Sequence, residues 1–322
     1  MKTKTLKLLG CALLSGLFAF VSQAQSVSST PVGYVTQTIK AGTGTGRSFS
    51  TLALPLYSPE TSGQVTSVSG STITDDSASF GDLSTSSAPY AVKITSGSAN
   101  GKYFTISSNT GTTLTLSGLS GVNSGDTFEV VAVDTLASLF GDPSDGVIVG
   151  GSKDDADIIW ILDGSWSKYY HNGTNWVQDR RGSPVNNDLP LSPDSGMLIS
   201  RLSDQASSFV ITGTVPSGQS VIGVSSAGAT LWSNTFPVDV ELQDTGIQNI
   251  AGLTSDDTVY DISSGSWKKY FYDGTNWREQ RRGNPISDDH IIASGSAILI
   301  IKASDSGVDG EVVTEPNYIS TL

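Results

Sequence analysis

Short runs of alternating hydrophobic and polar residues follow one another along most of this chain. In residues 90–95, Val92 and Ile94 alternate with small or polar neighbours, and in residues 112–116, Leu114 and Leu116 alternate with threonines. Glycine, serine and asparagine separate the runs. A period of two between turn residues is typical of half-buried strands, so the pattern predicts an all-β fold.

Residues 33–133 contain the longest series of such runs, and we predict a small antiparallel β-barrel or sandwich there. Ser69 and Gly70 lie between two of the runs in the manner of a two-residue hairpin turn. The predicted strands are 32–35, 64–68, 71–74, 90–95, 102–107, 112–116 and 127–133.

One short helix is predicted directly after this series. Asp134 is a suitable N-cap, and the spacing of Leu136, Leu139 and Phe140 gives an apolar stripe. Gly141 is suited to end the helix. We place the boundary to the rest of the chain at this helix.

The second half of the chain is internally duplicated. Residues 164–188 recur as residues 265–289 with 14 of 25 positions identical, which is far more than chance would give. Each copy contains an aromatic hairpin, then an Arg-Arg-Gly-x-Pro segment, then an apolar strand. We therefore predict two tandem sandwich-like repeats, 134–215 and 216–322, after an N-terminal β domain at 25–133.

Turn chemistry predicts the register of each hairpin. Asn172 and Gly173 are typical of a two-residue turn with positive φ at both positions, and an Asp-Gly pair takes their place in the second copy. Such a turn places Tyr169 opposite Trp176. The equivalent pair in the second copy is Tyr270 and Trp277.

Each hairpin then has aromatic side chains on both faces, because side chains alternate along a strand. The candidate ligand-binding residues are those of the second face: Trp166, Tyr170, Trp267 and Phe271. In one interpretation this face is an exposed platform on which sugar rings stack. In the other, both faces are covered, the second by the neighbouring repeat, because a chain without disulfides needs its aromatic residues for burial.

The arginine pairs are a second group of candidate binding residues, namely Arg180, Arg181, Arg281 and Arg282. They could bind an acidic polysaccharide. In so acidic a chain we expect them instead to pair with nearby aspartates, since the guanidinium fork fits a carboxylate.

An acidic turn precedes each hairpin. Asp154, Asp155 and Asp157 are candidate calcium ligands, because calcium takes several converging oxygen atoms and extracellular sites can be weak. The alternative is a solvated, aspartate-rich turn. No other cofactor is predicted.

The first residues have the features of a secretory signal. Lys2, Lys4 and Lys7 precede an apolar run, and Ala24 ends a small-residue cleavage site. The signal at 1–24 contains Cys11, the only cysteine, so the mature chain would form no disulfide. No second long apolar run follows, so we expect no transmembrane segment in the mature chain. The expected location is extracellular or on the outer cell surface, with the periplasm as an alternative.

Charge and histidine content exclude several functions. The net charge is −13, and loss of the signal lysines would make it more negative, so we expect no nucleic-acid partner. His171 and His290 are isolated and fit neither a zinc motif nor a triad. A pair of carboxylates suited to glycoside hydrolysis is not excluded, because such a pair is defined by the distance between its members rather than by sequence.

Four stretches resemble an uncharacterised family of secreted, β-rich proteins of Gram-negative bacteria. They are residues 63–70, 106–110, 125–129 and 233–240. The resemblance implies an exported, β-rich protein and brings no assigned activity.

Together these features favour a secreted, non-enzymatic β protein that serves as a cell-surface, matrix or adhesive component. The alternative is a carbohydrate-binding protein that uses the paired aromatic hairpins. A glycoside hydrolase or lyase is a third hypothesis. The expected partners are extracellular polysaccharide or other surface proteins.

Overall fold

The computed structural model describes residues 31–83, 89–262, 266–315 and 318. The predicted signal at 1–24 lies outside the described residues. The fold is all-β and antiparallel throughout, as the alternating pattern predicted. Within the described residues the one α-helix, α1, has five residues (Leu136–Phe140), and no helix is long and apolar enough to cross a membrane.

The strands are short and are separated by turns. Their bounds are β1 Val32–Ile39, β2 Ser48–Leu52, β3 Ser58–Gln64, β4 Ser67–Ser69, β5 Thr72–Thr74, β6 Tyr90–Ile94, β7 Tyr103–Asn109, β8 Thr113–Leu116, β9 Thr127–Ala132, β10 Ile158–Asp163, β11 Ser165–His171, β12 Trp176–Gln178, β13 Met197–Arg201, β14 Ser207–Thr214, β15 Ser220–Val224, β16 Gly228–Ser233, β17 Val240–Glu241, β18 Thr258–Asp261, β19 Lys268–Tyr272, β20 Trp277–Glu279, β21 Ile291–Ile292, β22 Ala297–Lys302 and β23 Gly310–Thr314. Three 3-10 turns lie at Pro143–Asp145, Leu242–Asp244 and Ile247–Asn249.

Strands β3 to β9 form one seven-stranded sheet in the order β3-β9-β6-β7-β8-β5-β4. Ile73 of β5 and Phe128 of β9 come from distant positions in this order yet share one hydrophobic core. The predicted hairpin at its edge is present, with the turn one residue later than predicted. Ser69 pairs with Thr72, and Gly70 takes positive φ (59°).

Each half of the duplicated region contains a five-stranded and a two-stranded sheet around one core. The first half has β12-β11-β10-β13-β2 with the pair β1-β14, and the second has β20-β19-β18-β22-β16 with the pair β15-β23. A short pair, β17-β21, completes the second half. Buried side chains from both sheets share each core, for example Ile211 with Trp176 in the first half and Val312 with Trp277 in the second.

Strand pairing crosses the predicted boundary at residue 133. The first two strands pair with β14 and β13, and so they hold the positions that β15 and β16 hold in the second half. The seven-stranded sheet is thus inserted between the second and third strands of the first repeat. A strand's alternation defines its two faces but not its partner, so this long-range pairing has no local signal.

The N-cap of α1 is Thr135, not Asp134 as predicted. The Thr135 hydroxyl accepts from the Ser138 amide at 3.1 Å, and the Ser138 hydroxyl accepts from the Thr135 amide at 2.8 Å. This capping box satisfies two amides that would otherwise lack partners. Asp134 instead accepts the Ser138 hydroxyl proton. Gly141 ends the helix with positive φ (65°), as predicted.

Candidate functional site

The two hairpins, β11-β12 and β19-β20, have a register two residues away from the predicted one. His171 lies opposite Trp176 and Tyr169 opposite Gln178, so four residues rather than two form the loop. The second copy agrees, with Tyr272 opposite Trp277. A displacement of two residues keeps each side chain on its predicted face.

The side chain at the start of each loop explains the longer connection. Asn172 Oδ1 accepts from the amides of Thr174 and Asn175, both at 2.9 Å, and Asp273 Oδ1 does the same in the second copy. Such a side-chain turn needs positive φ at the following glycine alone, and Asn172 does not adopt it. Hydrogen bonds from these amides and from Arg278 lower the pKa of Asp273 to about 2.

One face of each hairpin belongs to the core. Tyr169 and Trp176 are 7% and 1% exposed, and Tyr270 and Trp277 are each 1% exposed. His171 is on the same face, edge-on to Trp176 with ring centroids 5.6 Å apart. The first face therefore serves stability.

The opposite face is partly open. Trp166 is 38% exposed and Trp267 is 50% exposed, while Tyr170 and Phe271 are half-buried. Trp166 stands at 84° to Trp160, with centroids 6.1 Å apart, and Trp267 stands at 75° to Tyr260 at 6.0 Å. Perpendicular ring packing of this kind is favourable. Each exposed tryptophan is thus fixed against a neighbouring ring.

A lysine lies beside each of these ring pairs. Lys168 Nζ is 4.2 Å from the centroid of the Trp160 ring, and Lys269 Nζ is 5.5 Å from that of Tyr260. Trp267 also packs against Phe49 of β2, with the two ring centroids 6.4 Å apart. The outer face of each hairpin therefore has the same arrangement, in which an exposed tryptophan packs against a ring that also contacts a lysine.

The arginine pairs lie in exposed turns. Gly182 and Ser183 have positive φ (83° and 35°), and the Ser183 amide donates to the Arg180 carbonyl at 2.8 Å. Arg281 Nε contacts Glu279 at 2.8 Å. Among the described residues, Arg180, Arg181 and Arg282 make no ion pair, so the predicted aspartate pairing is not what holds them.

Two arginines contact the acidic turn that was predicted to bind calcium. Asp157 is 1% exposed and accepts three hydrogen bonds from Arg201. Arg47 donates to the main-chain carbonyls of residues 153, 154 and 156. The Asp157 carboxylate is thus bound by a guanidinium, whereas Asp154 and Asp155 are exposed. The described residues contain no group of three or more His, Cys, Asp or Glu placed to hold one.

Each histidine packs against an aromatic ring of a hairpin. His171 Nε2 lies 3.2 Å from Asp142, and its ring is 2% exposed. His290 stacks on Tyr270 with centroids 4.5 Å apart, and its Nε2 lies 2.8 Å from Asp261. Packing against these rings is a sufficient structural role for both histidines.

A polar cluster that the sequence analysis missed lies on the seven-stranded sheet. Adjacent strands place Ser62, Glu129, Lys93 and Tyr103 in one row across it. Tyr57 lies over the row, with its ring centroid 4.3 Å from Lys93 Nζ and its hydroxyl donating to Glu129 at 3.0 Å. Of these residues, Tyr57, Ser62, Lys93 and Glu129 line a cavity of about 490 Å³.

Burial dominates the electrostatics of this cluster. Lys93 is 5% exposed, and desolvation lowers its pKa to about 8 although Glu129 acts in the opposite direction. Burial, with a contribution from Glu129, raises the pKa of the Tyr57 hydroxyl. The signal in the sequence was a lysine within an otherwise apolar strand, Tyr90–Ile94.

Replacing Lys93 by methionine should stabilise the protein at neutral pH. A pKa lowered from 10.5 to about 8 corresponds to a cost of roughly 3 kcal/mol, partly offset by cation–π contacts of roughly 1 kcal/mol. We expect the free energy of unfolding at pH 7 to rise by about 1–3 kcal/mol in Lys93→Met, measured by urea titration.

The pH dependence gives the check on that prediction. Between pH 8 and 10.5 the unfolded chain retains a proton that the folded chain has lost, so wild-type stability rises with pH and the variant's advantage shrinks. Above this interval the advantage should be gone. Lys168→Met is the matched control, because that lysine is half-exposed. An advantage that stays constant from pH 7 to 11 would contradict the assignment.

Comparison with known proteins adds no family assignment: no family model, curated protein or solved structure matches the chain.

Proposed function

We propose that this chain is a secreted, non-enzymatic β protein that acts at the cell surface or in the extracellular matrix by binding polysaccharide through its two hairpins. The observation that carries the proposal is the pair of exposed tryptophans. Trp166 and Trp267 are at equivalent positions, 38% and 50% exposed, and each is held perpendicular to a neighbouring ring.

A fixed, exposed tryptophan suits sugar binding for two reasons. The apolar C–H face of a pyranose can pack on the indole ring. The hydroxyl groups at the edge of the sugar remain hydrogen-bonded to water. Because the ring is already held in place, binding loses little side-chain entropy. Lys168 and Lys269, at the base of the two sites, can donate hydrogen bonds to hydroxyl or carboxylate groups of the polymer.

Duplication supports a polymer rather than a single sugar as the ligand. Two sites on one chain that bind one long molecule gain effective concentration, so modest affinity at each site can give firm attachment. The same reasoning fits an adhesive or matrix role, in which many weak contacts are made to an extended partner.

Binding to polysaccharides tests the proposal. Purified protein lacking residues 1–24 would be run in affinity electrophoresis against neutral and acidic polysaccharides. We expect retardation by at least one polymer, a loss of about tenfold in affinity for Trp166→Ala or Trp267→Ala, and a larger loss for the double variant.

The matched control is Tyr34→Ala, which removes an aromatic side chain that is 74% exposed and lies on β1, away from the hairpins. It should bind like wild type. Binding that survives the double tryptophan substitution, or no binding to any polymer tested, would refute the proposal. Release of reducing ends from a bound polymer would instead favour the hydrolase hypothesis.

A further inference from the structure

The cavity at Lys93 is a second site, separate from the hairpins. It lies between the seven-stranded sheet and the segment that joins the two repeats, with Ser217 and Gly218 in its wall. The joining segment is fixed to the sheet, since Gln219 Nε2 donates to the Asn100 carbonyl at 2.9 Å and the Val221 amide donates to the Gly101 carbonyl at 3.2 Å. The cavity is therefore pre-formed.

Lys93 presents an unused set of donors to this space. Its ammonium contacts the rings of Tyr57 and Tyr103, at 4.3 and 5.8 Å, and makes no hydrogen bond or ion pair with any described residue. The ammonium borders the cavity, so its donors are open to a molecule that enters this space.

Glu129 supplies the complementary acceptor. It is the cross-strand neighbour of Lys93, and Tyr57 donates to its Oε2, which fixes the carboxylate in place. A positive and a negative group side by side leave the cavity with little net charge, so it attracts neither an anion nor a cation strongly. A hydroxyl both donates and accepts, so it can bond to both groups at once.

The rest of the wall agrees with a hydroxyl-rich ligand. The Thr95 and Thr127 hydroxyls are hydrogen-bonded to each other at 2.7 Å beside Lys93, and Asn100 lies near them. The Tyr57 ring gives one apolar surface. The volume, about 490 Å³, is in the range of small-molecule sites.

We propose that this cavity binds a neutral polyhydroxylated small molecule, of the size of a monosaccharide or sugar alcohol, with Lys93 donating to and Glu129 accepting from its hydroxyl groups. This site differs from the hairpins in location and in ligand size, and it does not depend on the polymer-binding proposal.

Titration calorimetry and saturation-transfer NMR on the protein lacking residues 1–24 would test the site. The neutral probes are D-glucose, D-galactose, D-mannose and sorbitol, and the charged probes are acetate, inorganic phosphate and choline. We expect at least one neutral probe to bind with a Kd in the millimolar range or tighter, and the charged probes to bind at least tenfold more weakly.

Variants locate the binding. In the Trp166→Ala, Trp267→Ala background, where sugar stacking on the hairpins cannot contribute, Lys93→Met and Glu129→Gln should each weaken it about tenfold or more. Circular dichroism melts establish that each variant is folded. If Lys93→Met does not fold, Glu129→Gln alone tests the site. Failure of every neutral probe, preference for a charged probe, or neutral binding unchanged by both cavity substitutions would overturn the proposal.

Discussion

Replacing Arg201 by methionine is expected to lower the free energy of unfolding by about 3–5 kcal/mol. Arg201 is 2% exposed at the end of β13, and its guanidinium donates to Asp157, to the carbonyls of Val147 and Gln205 and to the Ser207 hydroxyl. Removing it leaves the Asp157 carboxylate buried with its counter-charge gone, and an uncompensated buried charge is far more costly than the pair itself.

Urea denaturation at pH 7 measures this effect. The double variant Arg201→Met, Asp157→Leu removes both charges and should recover most of the loss, because replacing a buried pair by apolar side chains is often close to neutral. The second repeat has an equivalent pair, Lys302 and Asp257, 2.8 Å apart and both nearly inaccessible. Lys302→Met should therefore act in the same way. If Arg201→Met costs less than about 1 kcal/mol, the ion pair does not hold the repeat together.

Replacing Trp176 by alanine is expected to cost about 3–5 kcal/mol of folding free energy. Trp176 is 1% exposed, packs against Phe140 with centroids 5.7 Å apart, and donates from Nε1 to the Gly141 carbonyl at 3.4 Å. Its loss opens a cavity between the five-stranded sheet and α1, which neighbouring side chains can fill only in part.

Trp166→Ala is the matched control, because it makes the same chemical change on the opposite face of the same hairpin. Trp166 is 38% exposed, so we expect a loss of less than roughly 1 kcal/mol. The contrast separates the two roles of the hairpin, since the inner tryptophan stabilises the fold and the outer one is available to a ligand. Similar losses for the two variants would mean that the outer face is structural as well.

Local signals in the sequence placed most strands correctly and missed what depends on distant neighbours. Strands β4 to β9 of the inserted sheet were predicted within about three residues, because alternation and turn residues are local properties. Strand β3, which is polar and exposed along nearly its whole length, was missed. The hairpin register was wrong by two residues, since Asn172 and Asp273 bond to the loop amides through their side chains. A loop of this kind and a two-residue turn are both compatible with Asn-Gly and Asp-Gly, so the residue types do not distinguish them.

The candidate sites were likewise predictable only in part. The outer tryptophans could be assigned to one face by counting, because a period of two fixes faces wherever the strand is paired. Their exposure could not, as it depends on what packs over the sheet. The sequence alone points to neither Arg201 nor Lys302, because the buried aspartate that pairs with each is brought near only by the fold.

The sequence by itself determined the all-β class, the duplicated hairpins and which hairpin residues share a face, because these follow from local periodicity and repetition. The tertiary structure alone decided that β1 and β2 complete the first repeat around an inserted sheet, that Arg201 and Arg47 bind to the acidic turn, and that Lys93 faces a cavity. Those outcomes rest on contacts between residues far apart in the chain, whose pairing depends on which arrangement buries the most apolar surface while satisfying the buried charges.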